Sequence, residues 1–320
     1  MTSRVRDASG DQRLNAIVFV AIALIGGGNP VGVVVAVDEL DPVWAAATRF
    51  LAAGGIFAVA MLLLRVPIPH GKALVGSFIY GVLGFFAAFT CLFWGLAGTR
   101  PGTGQIIIAL VPLLTLLLAV AHGLERFSVR ALVGVLIAFG GLLFLVADRI
   151  DANVPPPSLL AVVAGAVLLA ESGIVVKLTP RAHPVASNAV GMLGGGALLL
   201  VLSAIIGDSW RAPAQQDTWT AMIFLVLGGS VAVFGLYVFL LGRWTASATS
   251  YILLIQPLPT LVYSAVLTQE PLTPALLVGG AVILLGVYIG AFTTARPATT
   301  DEDPAGSVAR LPRTDEEMSG

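Results

Sequence analysis

A handful of polar side chains stand inside long apolar runs of this sequence, and these are the groups with which it could do chemistry. Glu171 lies within Leu168-Leu169-Ala170-Glu171-Ser172-Gly173, far from either end of the apolar stretch 158–177. A carboxyl group at such a depth in lipid is costly to keep charged, so it marks a functional site by default. It would bind a substrate amine or a coupling proton; the other reading is a protonated carboxyl hydrogen-bonded between helices. Arg49 lies about seven residues into the stretch 42–64, roughly 10 Å deep at a helical rise of 1.5 Å per residue. Its guanidinium could hold a substrate carboxylate through two parallel hydrogen bonds. It could equally pair with Glu171 or reach back to the surface. Asn29, in the stretch 14–36, places a third polar group at depth.

A wider set could line a cavity: Tyr80, Trp94, Gln105, Tyr237, Tyr251 and Gln256, with Asn188, Ser247, Thr249 and Ser250. Tyr and Trp offer a flat apolar face with one polar tip. A neutral amide in a membrane span wants a partner, which favours Gln105 and Gln256. For each of these, helix packing is the competing role, and Trp94 also suits an interfacial belt. Glu125 and Glu270 stand at loop edges, where they cap helices or gate through ion pairs. His70, His122 and His183 are isolated in expected loops. No His/Cys/Asp cluster has metal-ligand spacing, no phosphate-binding G-x-x-x-x-G-K-[ST] loop occurs, and no Gly-x-Ser-x-Gly elbow occurs. Cys91 is the single cysteine and sits in an apolar run, where an inert thiol is expected. The expectation is therefore no catalytic residue, no metal and no cofactor. An intramembrane enzyme would show an acidic or His cluster at one membrane face, and none is present.

The elements that must position these groups follow from composition. Of 320 residues, 57% are hydrophobic and 11% charged, and the mean hydropathy is +0.95. A soluble domain carries about 25% charged residues; this chain has too little charge to cover a water-soluble globule, so its surface must face lipid. The net charge of −1 gives no basic face for nucleic acid. Ten apolar runs of spanning length can be placed near 14–36, 42–64, 73–97, 102–121, 130–147, 158–177, 184–206, 218–242, 245–268 and 273–292. Lipid offers backbone amides no partner, so these runs must be helices. With the N-terminus in the cytoplasm, thirteen of the 17 Lys and Arg fall on the inside. Only Arg100, Arg149 and Arg211 fall outside, and Arg49 lies within a span. That bias satisfies the positive-inside rule and places both termini in the cytoplasm, in a multi-pass protein of the cell membrane.

The chain also repeats itself. At an offset of 145, Pro112 meets Pro257, Glu125 meets Glu270, Gly134 meets Gly279 and Gly141 meets Gly286. At an offset of 142, Pro42 meets Pro184, Gly54 meets Gly196 and Asn29 meets Glu171. Five spans per half is an odd number, so the halves enter the membrane with opposite polarity, the arrangement on which alternating access is built. The expected organisation is a cytoplasmic N-terminal segment, 1–13; a first five-helix repeat, 14–147; a connecting loop, 148–157; a second five-helix repeat, 158–292; and a disordered cytoplasmic tail, 293–320. The fold class is an all-α membrane protein of ten transmembrane helices in two inverted five-helix repeats.

Pro42, Arg49-Phe50, Leu96-Ala97, Pro112, Leu124-Glu125-Arg126, Gly134 and Gly141 in the first half, and Pro257, Gln269-Glu270, Gly279 and Gly286 in the second, resemble the EamA group of the drug/metabolite transporter superfamily. The resemblance runs from about residue 14 to 292. It departs in the first span, which reads Gly26-Gly27-Gly28-Asn29-Pro30 where a Trp-Gly is frequent. The resemblance implies ten helices, a central cavity and transport of amino acids, drugs or other metabolites, frequently outward. The expected function is a secondary transporter, an exporter of small metabolites such as amino acids, working by alternating access. Its expected partners are a small-molecule substrate, membrane lipid and a coupling proton at Glu171. The expected cavity takes its lining from spans one, two, three, four, six, eight and nine. Efflux of hydrophobic drug-like solutes and a non-transporting binding or assembly role are the alternatives.

Overall fold

The computed structural model describes residues 2–97, 108–146, 155–268 and 274–292. Every regular element among them is helical. In chain order they are α1 (Thr2–Gly27), α2 (Asn29–Val37), α3 (Pro42–Leu63), α4 (Lys72–Gly81), α5 (Ala88–Ala97), α6 (Val111–Ala121), α7 (Val129–Val146), α8 (Pro156–Leu178), α9 (Pro184–Ile206), α10 (Gln216–Val226), α11 (Val233–Leu241), α12 (Ala246–Ser250), α13 (Ile252–Ile255), α14 (Pro257–Thr268) and α15 (Pro274–Val287). A π-helical turn, Val82–Ala87, joins α4 to α5; another, Leu227–Ala232, joins α10 to α11; a third, Tyr288–Phe292, follows α15.

Six helical bodies among the described residues are long and apolar enough to cross a membrane: Gln12–Val37, Pro42–Leu63, Lys72–Leu92, Pro156–Leu178, Pro184–Ile206 and Gln216–Leu241. The apolar helices Val111–Ala121, Val129–Leu145 and Leu277–Ala291 are shorter. The expected fourth span, 102–121, is described from residue 108, with α6 beginning at Val111, and the expected ninth, 245–268, is divided into α12, α13 and α14. Proline explains where these helices begin. It lacks an N–H and fixes φ, so it is tolerated in a first turn and disrupts an interior. Pro30, Pro42, Pro112, Pro156 and Pro184 each stand at a helix start, and Pro257 opens α14. The first helix reaches back to Thr2, so residues 2–13 of the expected N-terminal segment are helical.

The outer surface is apolar. Leu62, Leu63, Ile205 and Val266 each expose more than 70% of their surface, an arrangement that only lipid would tolerate.

The inverted repeat is visible in the packing. α3 and α9 run antiparallel, with Leu193 packed on Gly54 and Leu51 packed on Gly196. Leu51 and Leu193 are themselves repeat mates at 142, so the two contacts are one contact seen twice about a twofold axis. α7 and α15 repeat the device: Gly134 lies against Gly286, and Gly141 against Gly279. The π-helical turns obey the same register, since Val82 and Leu227 differ by 145, as do Ala87 and Ala232. Two copies of one helical pattern thus meet at a shared central interface.

Candidate functional site

A cavity of about 160 Å³ lies at that interface. Ile22 and Asn29 line it from the first span, and Tyr80, Gly84, Phe85 and Phe89 from the third. Val111 and Thr115 come from α6, and Leu169 and Ser172 from α8. Val233, Phe234 and Tyr237 come from α11, and Thr249, Ser250, Ile252, Leu253 and Gln256 from the broken ninth segment. Both repeats contribute, and no ionisable acid or base is among these side chains apart from the tyrosines. Phe89 and Phe234 are repeat mates at 145 and face the cavity together. Phe50, Phe85 and Phe234 form an aromatic layer beside it, Phe85 and Phe234 edge to face at 4.9 Å between centroids and Phe50 tilted against Phe85 at 5.0 Å.

Arg49 stands directly behind Asn29. It is 4% exposed. Its Nε donates to Ser230 Oγ at 2.7 Å, and its Nη2 donates to Asn29 Oδ1 at 3.2 Å and to the Gly229 carbonyl at 3.0 Å. Asn29 in turn donates from Nδ2 to the same carbonyl at 3.4 Å. A Cβ at 229 would lie 1.9 Å from Asn29 Oδ1, so any larger residue there would displace the Asn29 amide. Gly229 sits in the π-helical turn of the second repeat, and its mate Gly84 lines the cavity from the turn of the first. Single π turns widen a helix locally and recur at functional sites; here they give both glycines their place. All three acceptors around Arg49 are neutral, and the expected pairing with Glu171 is not formed.

On the other side of the cavity, Tyr80 donates its hydroxyl to Asn188 Oδ1 at 3.4 Å, and Asn188 donates to the Phe234 and Pro184 carbonyls. Ser77, one helical turn before Tyr80, belongs to a second and wider cleft at the end of the bundle where α1 begins.

The residues expected to form the site thus divide. Asn29, Tyr80, Tyr237 and Gln256 are brought together on the cavity wall, and Arg49 is held one layer behind. Glu171 is not on that wall. Its carboxylate Oε1 lies 3.4 Å from His122 Nε2, at the end of α6, while His122 Nδ1 donates to the Leu118 carbonyl at 2.9 Å. A helix turns ~100° per residue, so Leu169 and Ser172 face the cavity while Glu171 faces away. Trp94 is 62% exposed on the outer surface. Tyr251 is fully buried, but its hydroxyl donates to the Ala131 carbonyl at 2.5 Å and serves packing against α7. Gln105 and Glu270 lie outside the described residues. Span two, expected in the lining, contributes no residue to the cavity wall; Arg49 stands behind Asn29. Thr115, Ser172 and the Phe89/Phe234 pair are lining residues that sequence reasoning missed; only the 145 register could have drawn attention to the phenylalanines. Among the described residues no group of His, Cys, Asp or Glu could hold a metal ion.

The end of the bundle opposite the N-terminus is latched. Glu39 accepts from the backbone N–H of Ala214 at 2.5 Å and of Gln215 at 3.3 Å. Asp41 Oδ2 accepts from the N–H and hydroxyl of Ser209. Trp44 donates from its backbone N–H to Asp208 and from its indole to the Arg211 carbonyl, and its ring stacks on Trp210 at 5.3 Å. These hydrogen bonds hold both carboxyl groups below their ordinary pKa; for Glu39 the Thr218 side chain contributes most, and for Asp41 the Ser209 side chain.

Comparison with known proteins agrees with this architecture. The pattern of the EamA-like transporter family matches residues 13–147 and 156–291, one match for each repeat. An uncharacterized transporter of Archaeoglobus fulgidus is 28% identical over 78% of this chain and 88% of its own length. The probable amino-acid metabolite efflux pump of Escherichia coli K12 is 23% identical over 88% of this chain and 95% of its own. A crystal structure of a protein that is 18% identical superposes with a TM-score of 0.75, covering 88% of this chain and 98% of that one; it shares the fold.

Proposed function

The chain belongs to the EamA-like transporter family, and from that premise we propose that it exports small amino-acid-like metabolites by alternating access around the cavity between its two repeats. The observation that carries this reading is the Asn29–Arg49 pair. A guanidinium at 4% exposure with only neutral acceptors is an uncompensated buried charge beside a cavity. Burying such a charge is expensive unless an anion arrives, and a solute carboxylate entering the cavity would supply one. The volume supports the same size class. About 160 Å³ is the scale of a cavity that holds benzene, whereas drug-sized ligands occupy roughly 300–1,000 Å³. Tyr80, Tyr237 and Gln256 would meet the uncharged parts of such a solute.

Outward transport is favoured by the relatives named as efflux pumps. The Lys and Arg bias favours a ten-span topology with both termini in the cytoplasm, which makes the latched end the outer one. The Glu171–His122 pair is the group we assign to a coupling proton, since a contact at 3.4 Å is relieved or tightened by one proton.

The test is a thermal-stability screen of the purified protein against amino acids, polyamines, nucleosides, sugar phosphates and cationic drugs. A solute at 100 times its Kd should stabilise the fold by roughly 2.7 kcal/mol. Stabilisation by an amino acid that disappears in Arg49→Lys supports the reading. Stabilisation by cationic drugs alone would overturn it.

A further inference from the structure

We propose that Tyr237 and Gln256 are the residues by which the central cavity selects its solute, and that they select one whose side group carries an uncharged hydrogen-bonding function, a hydroxyl or a carboxamide. The inference rests on the reading of that cavity as the solute site and narrows the class of solute further. The polar groups of the wall divide by whether they are already paired. Thr115, Ser172, Thr249 and Ser250 each donate their hydroxyl to a carbonyl one turn back, on Val111, Leu169, Thr245 and Ser247. Their protons are thus spent on their own backbone. Asn29 is held by Arg49 and the Gly229 carbonyl, and Tyr80 donates to Asn188.

Two side chains of the wall remain. Among the described residues, neither the Tyr237 hydroxyl nor the Gln256 carboxamide forms a hydrogen bond. Every fully buried side-chain nitrogen and oxygen among those residues does have a partner, so these two groups stand open to the cavity space. Glycines make room for both. A Cβ at Gly173, on α8, would lie 2.9 Å from the Tyr237 hydroxyl oxygen, and a Cβ at Gly26, on α1, would lie 2.2 Å from Gln256 Nε2. One polar tip is thus admitted against the first helix of each repeat.

The repeat shows that packing does not ask for these groups. At the offset of 145, the mate of Tyr237 is Leu92 and the mate of Gln256 is Val111, both apolar and buried. The second repeat alone carries the polar tips, which suits an asymmetric solute. A phenol and a carboxamide can each donate and accept. A hydrocarbon side group seated against them would strip both of water without replacing its hydrogen bonds, and that penalty lowers affinity. Neither tip carries a charge, so neither compensates a charged side group. A hydroxyl or a carboxamide satisfies both tips. A site that hydrogen-bonds a solute group rejects the isostere lacking it far more strongly than an apolar pocket rejects the reverse.

The experiment measures thermal stabilisation of the full chain in neutral maltoside detergent by isosteric pairs of amino acids, L-threonine with L-valine and L-asparagine with L-leucine. In the wild type, threonine and asparagine should act at about tenfold lower concentration than valine and leucine, a difference of roughly 1.4 kcal/mol. Tyr237→Phe removes a single atom and should reduce that preference on its own. Tyr237→Phe with Gln256→Leu should abolish it, by weakening threonine and asparagine while the valine and leucine curves stay where they are. Each single variant should melt unliganded no lower than the wild type, since the groups removed fasten no part of the fold. Valine or leucine acting as well as its partner in the wild type overturns the inference and leaves the amino-acid reading standing. A preference that survives the double variant overturns it too, as does an equal weakening of all four solutes, which marks the two residues as packing. No stabilisation by any amino acid overturns the amino-acid reading and this inference with it.

Discussion

Arg49 donates from Nη2 to the Oδ1 of Asn29 at 3.2 Å, joining the second span to the first immediately behind the cavity wall. The bond does more than fasten two helices. It fixes the Asn29 amide with its nitrogen toward the Gly229 carbonyl, so both repeats set the orientation of one polar group facing the cavity.

Arg49→Lys tests this arrangement. The fork reaches Ser230 Oγ, Asn29 Oδ1 and the Gly229 carbonyl together; an ammonium on a straight stem cannot cover all three positions. Transport in proteoliposomes should fall by about tenfold in kcat/KM, and stability by ~1–3 kcal/mol for the lost charged hydrogen bonds. Unchanged transport with a normal melt would show that the guanidinium geometry is not used.

Gly54→Ala and Gly55→Ala separate packing from composition. A Cβ at 54 would meet the backbone nitrogen of Leu193 at 2.9 Å, while a Cβ at 55 meets nothing within 4 Å. Overpacking typically costs about 1–3 kcal/mol, so Gly54→Ala should lower the melting temperature. Gly55→Ala should be neutral or slightly stabilising, because alanine is the better helix former. Equal melting temperatures for the two variants would contradict the twofold contact.

These glycines show how far the sequence could be read. Gly54 with Gly196, and Gly134 with Gly279, recur in register because close helix approach leaves no alternative side chain, so the repeat and the helical spans were legible. Depth along a helix drew attention to Glu171, Trp94 and Tyr251, yet the Glu171 carboxylate meets His122 just past the end of α6. Azimuth was not legible. Surrounded by apolar residues on every side, Glu171 carries no periodic signal of its facing, and only the packed structure shows it turned to His122. The two π-helical turns were equally hidden, since nothing in Val82–Ala87 or Leu227–Ala232 distinguishes them from ordinary helix.

Tyr251→Phe should therefore behave as a structural change. Its hydroxyl satisfies the Ala131 carbonyl where the junction of α12 and α13 packs on α7. Leaving a buried acceptor unsatisfied costs ~1–3 kcal/mol. A melt should register that loss while KM for the transported solute stays at its wild-type value. A raised KM at normal stability would return Tyr251 to the site.

Glu171→Gln bears on energetic coupling. The substitution is nearly isosteric and keeps a hydrogen-bonding contact to His122, but it cannot give up a proton. If the pair carries the coupling proton, solute exchange at zero proton gradient should persist while gradient-driven transport is lost. Loss of both with a normal melt would place Glu171 in solute binding, and retention of both would leave it a helix fastener.

The latch gives a pH dependence whose sign is fixed. Glu39 and Asp41 have folded pKa values below their ordinary 4.5 and 3.8, so the unfolded chain binds protons more readily than the folded one. The stabilisation is fully present above the ordinary values and is lost as pH falls through the lowered ones. Stability should be flat between about pH 6 and 8 with respect to these groups and decline below about pH 4.5. Glu39→Gln together with Asp41→Asn should lower stability at neutral pH and flatten the acid decline, because neither amide can accept the Ala214 and Ser209 N–H bonds with a full charge. Melting curves across that range decide it: an acid decline equally steep in the double variant would mean that the decline arises elsewhere and that these two carboxylates do not hold the latched end shut.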